Sequence, residues 1–199
     1  PRVSALRAEP ARGHTVEARA HERTSSPRMR TLSKDEALAA LEESRNNVPA
    51  RYAGCVMCAL AEGALSPRLV VHETPHTVCV LDAFAARPGH LLVVARRHLC
   101  TLRDVPWEVH ADMSRVAWRA ARALEGRGAK RVYVAQLGSP VDLPTSYAHA
   151  HTHVVPVDEV DERARPAAVF SWSSGVVVYD PGEGEELAQT LALALGAEG

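Results

Sequence analysis

The sequence predicts an α+β fold, in which a mostly antiparallel sheet of five or more strands carries one long helix and is flanked by N-terminal and C-terminal helices. Three observations favour this class. Short apolar or alternating segments recur between turn residues, one longer segment has the period of an amphipathic helix, and helix-start signals occur near each end. The segments do not alternate strand with helix as a parallel sheet requires, so the class is α+β rather than α/β.

The N-terminal helix is predicted from the way it begins. Ser33 and Glu36 have the spacing of a capping box, in which each side chain bonds to the backbone of the other residue. The helix then runs through residues 37–44, and a tight Cys-x-x-Cys turn follows at residues 55–58. Residues 1–30 are rich in Arg, Ala, Ser and Thr without any apolar period, so we expect them to form a disordered or weakly ordered extension.

The strands and the remaining helices are predicted from periodicity. Residues 90–95 form a nearly unbroken apolar run, which indicates a central strand buried on both faces. Residues 106–125 have Pro106 at the first turn and an apolar stripe, which indicate the long helix. That stripe consists of Val109, Met113, Val116, Ala120 and Leu124. The other predicted strands are residues 69–73, 77–82, 131–136, 147–156 and 174–179, and a last helix runs from Asp180 through Leu195.

Composition and charge exclude several classes of function. The chain has 199 residues, of which 46% are hydrophobic, so residues 31–199 are predicted to form one domain, with a core at 50–157 and a C-terminal strand and helix at 168–196. A net charge of −1 gives no positive field with which to coat nucleic acid. No apolar run reaches membrane-spanning length, and a Cys-x-x-Cys pair suits a reducing compartment, so we expect a cytoplasmic protein with no membrane partner.

Residues 147–156 contain the most informative pattern in the chain, because three histidines alternate with small or β-branched residues. In a strand, His149, His151 and His153 share one face at a spacing of about 6.5–7 Å. Three interpretations are open: a solvated strand edge, a metal site, or nucleophilic catalysis on phosphorus with one imidazole attacking.

Three separate blocks of the sequence resemble the histidine-triad (HIT) superfamily. Residues 149–155 have the pattern His-φ-His-φ-His-φ-φ, where φ is an apolar residue. Residues 80–98 contain an aspartate, a loop, Pro-Gly-His, an apolar strand, two basic residues and a histidine, and residues 55–58 are similar to the Cys-x-x-Cys of bacterial members. The resemblance covers roughly residues 50–157 and implies the HIT fold, with homodimers formed through the long helix, including Trp118, and the neighbouring strand.

The resemblance also implies catalytic roles. His151 matches the nucleophile, with its other ring nitrogen held by a backbone carbonyl near position 149. His153 matches a residue that hydrogen-bonds the phosphate or the leaving oxygen, and His149 is the first member of the catalytic triad. Ser146 matches a serine that binds phosphate or donates to the leaving group, although a simple turn serine is an equally good interpretation.

Nucleotide-binding residues are implied in the same way. Asp82 matches the acidic residue that binds the ribose hydroxyl groups. Val56, Val80, Leu81 and Phe84 are candidates for a base pocket or for plain core. An Asn or Gln commonly precedes the triad to bind phosphate; here Gln136 lies slightly too far upstream, Ser139 stands near the expected place, and Pro144 and Thr145 replace the usual Gly-Gln.

A Zn²⁺ site is implied by relatives that carry Cys-x-x-Cys. Its ligands are Cys55, Cys58, His98 and His149, a closed set that is structural and leaves His151 free. The alternative is that the two cysteines are small buried hydrophobic residues. Cys100 and Cys79 are not expected to bind the metal.

Together these implications predict a nucleotide hydrolase or nucleotidyl transferase with a nucleotide substrate. It would act at the α-phosphate of a nucleoside phosphoramidate or dinucleoside polyphosphate through a nucleotidyl-histidine intermediate. The alternatives are a zinc-stabilised nucleotide-binding regulatory module with little turnover and, from a third class, a metalloenzyme that uses all three triad histidines as ligands.

Overall fold

The computed structural model describes residues 29–67, 69–136, 141–142 and 146–197. Most of the predicted extension and the candidate phosphate ligand Ser139 lie outside these ranges, as do Pro144 and Thr145. The elements in chain order are β1 (Met29–Leu32), α1 (Lys34–Asn46), α2 (Val56–Ala61), β2 (Val70–Glu73), β3 (Thr77–Leu81), β4 (Leu91–Ala95), α3 (Trp107–Gly126), β5 (Arg131–Gln136), β6 (His151–Val157), α4 (Pro166–Phe170), β7 (Val176–Tyr179) and α5 (Glu183–Ala197).

The main sheet has five strands in the order β2-β3-β4-β6-β5, and every neighbouring pair is antiparallel. The predicted fold class is therefore confirmed. The histidine strand β6 lies between β4 and the edge strand β5, with His151 opposite Val94 and His153 opposite Leu92.

Alternation along β6 divides its side chains between two apolar clusters. Ala150 and Val154 belong to the cluster that contains the buried stripe of α3, which confirms the predicted packing of the long helix. Val155 and Val157 belong to the opposite cluster, together with residues of α1 and α2. His151 and His153 have the same parity as these two valines, so their rings lie on the side of the sheet away from α3.

A second, two-stranded sheet joins β1 to β7, with Met29 opposite Tyr179. Met29 and Arg30 fall within the predicted weakly ordered extension, yet the structure places them in a strand. The residues of β1 are mostly exposed and carry no alternation. Their order comes from a partner at the far end of the chain, which a local pattern cannot reveal.

Local chemistry explains where other elements begin. The capping box is confirmed, because the Ser33 backbone N–H donates to Glu36 at 2.8 Å and the Glu36 N–H donates to Ser33 Oγ at 3.3 Å. The Cys-x-x-Cys segment, predicted to be a turn, begins α2 with Cys55 as its N-cap. The triad strand starts at His151, four residues later than predicted, because the preceding backbone bends to bond Asp142 and Leu99.

The C-terminal part differs from the prediction in two places. Helix α4 carries no predicted element, and α5 begins at Glu183 rather than at Asp180. Among the described helices, none combines the length and the apolar composition that a bilayer span requires.

Candidate active site and metal centre

A cavity of about 660 Å³ opens on the sheet face opposite α3, and it contains most of the predicted site. Asp82, Ser146, His151 and His153 all line it, as do the four candidates for the base pocket, Val56, Val80, Leu81 and Phe84. Gln136 is not among the lining residues, since it ends β5 opposite Thr152. The structure therefore brings together the predicted nucleophile and ribose ligand but leaves Gln136 outside their cavity.

His151 is held in one orientation by the backbone. Its Nδ1 lies 2.6 Å from the carbonyl oxygen of His149. A carbonyl oxygen only accepts, so Nδ1 carries the proton and Nε2 carries the lone pair. The residue is only 1% exposed, and burial lowers the pKa of His151, although the His149 carbonyl and Asp82 partly oppose that shift. The ring is therefore a neutral imidazole with a defined nucleophilic nitrogen.

The lone pair of His151 begins a directional chain of hydrogen bonds. His153 Nε2 lies 3.2 Å from His151 Nε2, so His153 donates from Nε2 and keeps Nδ1 as its acceptor. His90 Nε2, at 3.0 Å, donates to that Nδ1. His90 Nδ1 in turn accepts the Ala86 N–H at 3.2 Å. The His149 carbonyl fixes the tautomer of His151, and the Ala86 N–H favours an unprotonated His90 Nδ1, which the Asp82 carboxylate 3.1 Å away opposes.

Asp82 lies beside the far end of this chain. Its Oδ1 accepts the Phe84 N–H at 2.9 Å, and its Oδ2 is 3.1 Å from His90 Nδ1. A proton that arrives at His90 Nδ1 is consequently stabilised by the carboxylate. Burial lowers the pKa of His90 and lowers the pKa of His153 well below its usual range. Both imidazoles are therefore neutral before such a proton arrives.

The sequence interpretation missed His90, which it treated as the first residue of a buried strand. The residue is 2% exposed, and its ring stacks on that of His153 with centroids 5.2 Å apart. The available signal was a polar side chain that directly precedes an otherwise apolar strand, since a buried polar group requires partners.

A second cluster brings together the four predicted zinc ligands, Cys55, Cys58, His98 and His149, whose ligand atoms all lie within 4.8 Å of one another. His149 Nδ1 is 3.5 Å from each of the two sulfurs, and His98 Nδ1 is 3.3 Å from Cys58 Sγ. A tetrahedral ion with bonds of about 2.3 Å to sulfur and about 2.0 Å to nitrogen separates such atoms by about 3.5 Å. The donor set therefore fits Zn²⁺.

Neighbouring groups orient these ligands for a cation. His149 Nε2 donates to the Ala95 carbonyl at 2.7 Å, which leaves Nδ1 deprotonated towards the sulfurs. Burial, with Cys55 adding to it, raises the pKa of Cys58 to about 12, so a thiolate there requires a cation. Cys100 Sγ lies 3.5 Å from His98 Nε2, the nitrogen that faces away from the ligand atoms, and donates to the Ala148 carbonyl.

His149 therefore takes part in two arrangements through different atoms. Its ring nitrogens contact the cysteines and the Ala95 carbonyl, and its own carbonyl accepts from His151. The predicted catalytic role of His149 is thus consistent with its backbone oxygen rather than with its imidazole.

Comparisons with known proteins agree with this fold. The family model of the HIT domain matches residues 64–160. An uncharacterised HIT-like protein of Mycobacterium tuberculosis is 33% identical over 103 residues, which cover 51% of this chain and 70% of that protein. The crystal structure of a zinc-bound histidine triad family protein from Mycobacterium smegmatis is similar with a TM-score of 0.56 and 29% identity, over 72% of this chain and 94% of that one.

The described fold and site define a HIT-domain protein, and the chain belongs to the HIT family. Some relatives are nucleotide hydrolases. An adenosine 5′-monophosphoramidase of Saccharomyces cerevisiae is 26% identical over 141 residues, which cover 70% of this chain and 84% of that enzyme.

Proposed function

We propose that the protein is a nucleotide hydrolase or nucleotidyl transferase, which cleaves a nucleoside phosphoramidate or dinucleoside polyphosphate at the α-phosphate. The observation that carries this proposal is the state of His151. It is a buried, neutral imidazole whose Nδ1–H is fixed on a carbonyl, so that Nε2 is the nucleophile beside a cavity of nucleotide-binding size.

The first step forms a bond between His151 Nε2 and the α-phosphorus while the bond from phosphorus to the leaving group breaks. The His153 Nε2–H, which faces His151 in the structure, turns to the leaving atom and protonates it. The His90 Nε2 proton moves to His153 Nδ1, and His90 Nδ1, 3.1 Å from the Asp82 carboxylate, takes up a proton from a buffer acid of the solvent, whose conjugate base stays in solution. Neither His153 nor His90 then has to become an anion.

The second step releases the nucleotide. Water attacks the α-phosphorus, the bond from phosphorus to His151 Nε2 breaks, and His153 Nε2 takes the proton of the water. The proton on His153 Nδ1 then moves to His90 Nε2, and His90 returns its Nδ1 proton to the buffer base formed in the first step. The cavity residues that would position the nucleotide are Asp82 at the ribose hydroxyls and Ser146 and His153 at the phosphate, and Ser139, the other candidate, lies outside the described residues.

Cys55, Cys58, His98 and His149 would hold a Zn²⁺ ion, which supplies a structural cross-link and no reacting group. The carbonyl of His149 orients the nucleophile from the edge of that cluster. The zinc and nucleophile interpretations of the triad are therefore compatible.

A single-turnover experiment tests the proposal. Native protein and His151→Ala are mixed with adenosine 5′-phosphoramidate labelled at phosphorus, and the labelled adduct is quantified after quenching at alkaline pH. We expect an adduct on native protein and none on His151→Ala, with both proteins retaining nucleotide binding. Binding without any adduct on native protein would instead indicate the zinc-stabilised regulatory module.

A further inference from the structure

The loop of residues 82–90 carries two groups of the candidate site at its ends. Asp82 begins the loop and His90 ends it, and the Asp82 N–H donates to the His90 carbonyl at 2.9 Å, which closes it. Within the loop, the His90 N–H donates to the Arg87 carbonyl at 3.0 Å. The position of the His90 ring, and with it the hydrogen bond to His153, therefore depends on how this backbone is held.

The two-stranded sheet holds this loop from outside the matched HIT domain. The match covers residues 64–160, whereas β7 begins at Val176 and pairs with β1. Val177 forms an antiparallel bridge with Ala85. In this bridge the Val177 N–H donates to the Ala85 carbonyl at 2.7 Å, and the Ala85 N–H donates to the Val177 carbonyl at 3.0 Å. The middle of the loop is thus fixed to β7 by two backbone hydrogen bonds.

Tyr179, the last residue of β7, adds a contact directly before His90. Its hydroxyl oxygen accepts the Gly89 N–H at 2.9 Å. Gly89 is buried and has a φ of 83°, a left-handed conformation that favours glycine. A buried N–H requires a hydrogen-bond partner, and the Tyr179 hydroxyl supplies it. Without that hydroxyl the Gly89 amide would lose this partner, and the turn that leads into His90 would shift.

The environment of Tyr179 suits a structural hydrogen bond rather than chemistry of its own. Burial raises the pKa of Tyr179 to about 12, against the opposing effect of the Gly89 hydrogen bond, so the hydroxyl stays neutral near pH 7. Its ring packs against the apolar cluster that contains the stripe of α3, and Tyr179 is not among the described residues that line the cavity. Its influence on His153 therefore runs through Gly89 and His90.

We propose that Tyr179 is a positioning residue, whose hydroxyl holds the Gly89 amide and thereby sets the His90 ring at hydrogen-bond distance from His153. The C-terminal strand is in this way coupled to the chain of histidines in the site. The catalytic consequence rests on the proposed function, in which His90 replaces the proton that His153 gives to the leaving group. The geometric part does not, because the 3.0 Å bond between His90 and His153 belongs to the folded chain itself.

Tyr179→Phe tests the geometric part, because it removes the hydroxyl and keeps the packed ring. Tyr133→Phe is the matched control, since the half-buried Tyr133 donates its hydroxyl at 2.7 Å to the Ala164 carbonyl, outside the loop. The NMR signals of the imidazole nitrogens are recorded for native protein and both variants. We expect Tyr179→Phe to move the His90 Nε2 and His153 Nδ1 signals, because the hydrogen bond between them lengthens, and Tyr133→Phe to leave them in place. Unchanged signals in Tyr179→Phe, or equal changes in the two variants, would overturn the inference.

Rates with two leaving groups test the catalytic consequence. Adduct formation is measured with adenosine 5′-phosphoramidate, whose amine needs a proton to leave, and with the 4-nitrophenyl ester of adenosine 5′-monophosphate, whose nitrophenolate needs none. Tyr179→Phe should slow the first reaction by about tenfold and the second by less than about twofold. Equal losses in the two reactions would reduce Tyr179 to a residue that only maintains the fold and would overturn the positioning role. Native protein that forms no adduct would reject the proposed function, whereas the nitrogen signals would still decide whether Tyr179 sets the position of His90.

Discussion

The nucleophile and the metal cluster are joined through a single carbonyl group. His151 Nδ1 lies 2.6 Å from the His149 carbonyl oxygen, while the His149 ring faces Cys55 and Cys58. A shift of His149 therefore moves the acceptor that fixes the tautomer of His151. The candidate metal cluster in this way supports the position of the proposed nucleophile, although its cysteines are not among the described residues that line the cavity.

Loss of the metal should accordingly weaken both stability and catalysis. We expect the double variant Cys55→Ser/Cys58→Ser to lose bound zinc and to melt roughly 10 °C or more below native protein, because several kcal/mol of cross-linking are removed. Elemental analysis and calorimetry provide the measurements. Adduct formation should be slowed but retained, since His151 itself is unchanged.

Cys100→Ser is the matched control for this experiment, because Cys100 lies next to His98 but outside the ligand set. It should keep one zinc per chain and melt close to native protein. If the double cysteine variant retained its metal, the three triad histidines would be the ligands and the nucleophile assignment would fail.

His90 provides the next prediction, because it is a positioning residue that acts through His153. In His90→Asn, an acceptor for the Ala86 N–H remains, but the donor to His153 Nδ1 is lost. We expect a loss of up to about 10²- to 10⁴-fold in the rate of adduct formation, which is the contribution typical of general acid–base assistance. Stopped-flow rates with an amine and with a 4-nitrophenolate leaving group measure it.

The nitrophenolate needs no proton to leave, so its rate should fall much less than the amine rate. His90→Gln, which can again present a donor towards His153, should recover part of the amine rate. Equal losses with both leaving groups would indicate that His90 only maintains the fold.

The sequence predicted the parts of this site that depend on local patterns. Alternation placed His151 and His153 on one face, and the Cys-x-x-Cys spacing indicated two of the four residues in the candidate metal cluster. The sequence did not predict the role of His90. The hydrogen bond from His90 to His153 joins the residue that directly precedes β4 to a residue of the neighbouring strand β6, and the register of these strands is known only from the structure. The place of Trp172 in the cavity lining was missed for a related reason, because the other lining residues come from distant parts of the chain.

The pH dependence follows from the burial of the nucleophile. Attack requires neutral His151, and burial lowers the pKa of His151 from its ordinary value of 6.5. A lowered pKa means that protonation occurs only at more acidic pH, so the acidic limb of adduct formation should be centred below pH 6.5. Single-turnover rates between pH 4.5 and about 8 measure this limb.

Circular dichroism over the same pH range is the control, because acid unfolding would also reduce the rate. An acidic limb centred at or above pH 6.5, in protein that remains folded, would contradict the neutral buried state of His151.

The remaining prediction concerns association of two copies of the chain. Strand β5 is an edge of the main sheet, and Val134 on it is 53% exposed. Val134 pairs with Val154, which packs towards α3, so Val134 lies on the same side of the sheet as that helix, where Trp118 is 56% exposed. An unpaired edge beside exposed apolar side chains favours pairing with a second copy.

We expect native protein to sediment at twice the 21.5 kDa of one chain. Val134→Lys and Trp118→Glu should each shift it towards the single-chain mass, because each buries a charge at the interface. Leu193→Glu, which changes an apolar residue on α5 that is more exposed still, at 79%, should remain dimeric. Dissociation by Leu193→Glu, with no effect of the other two, would place the contact on α5 instead.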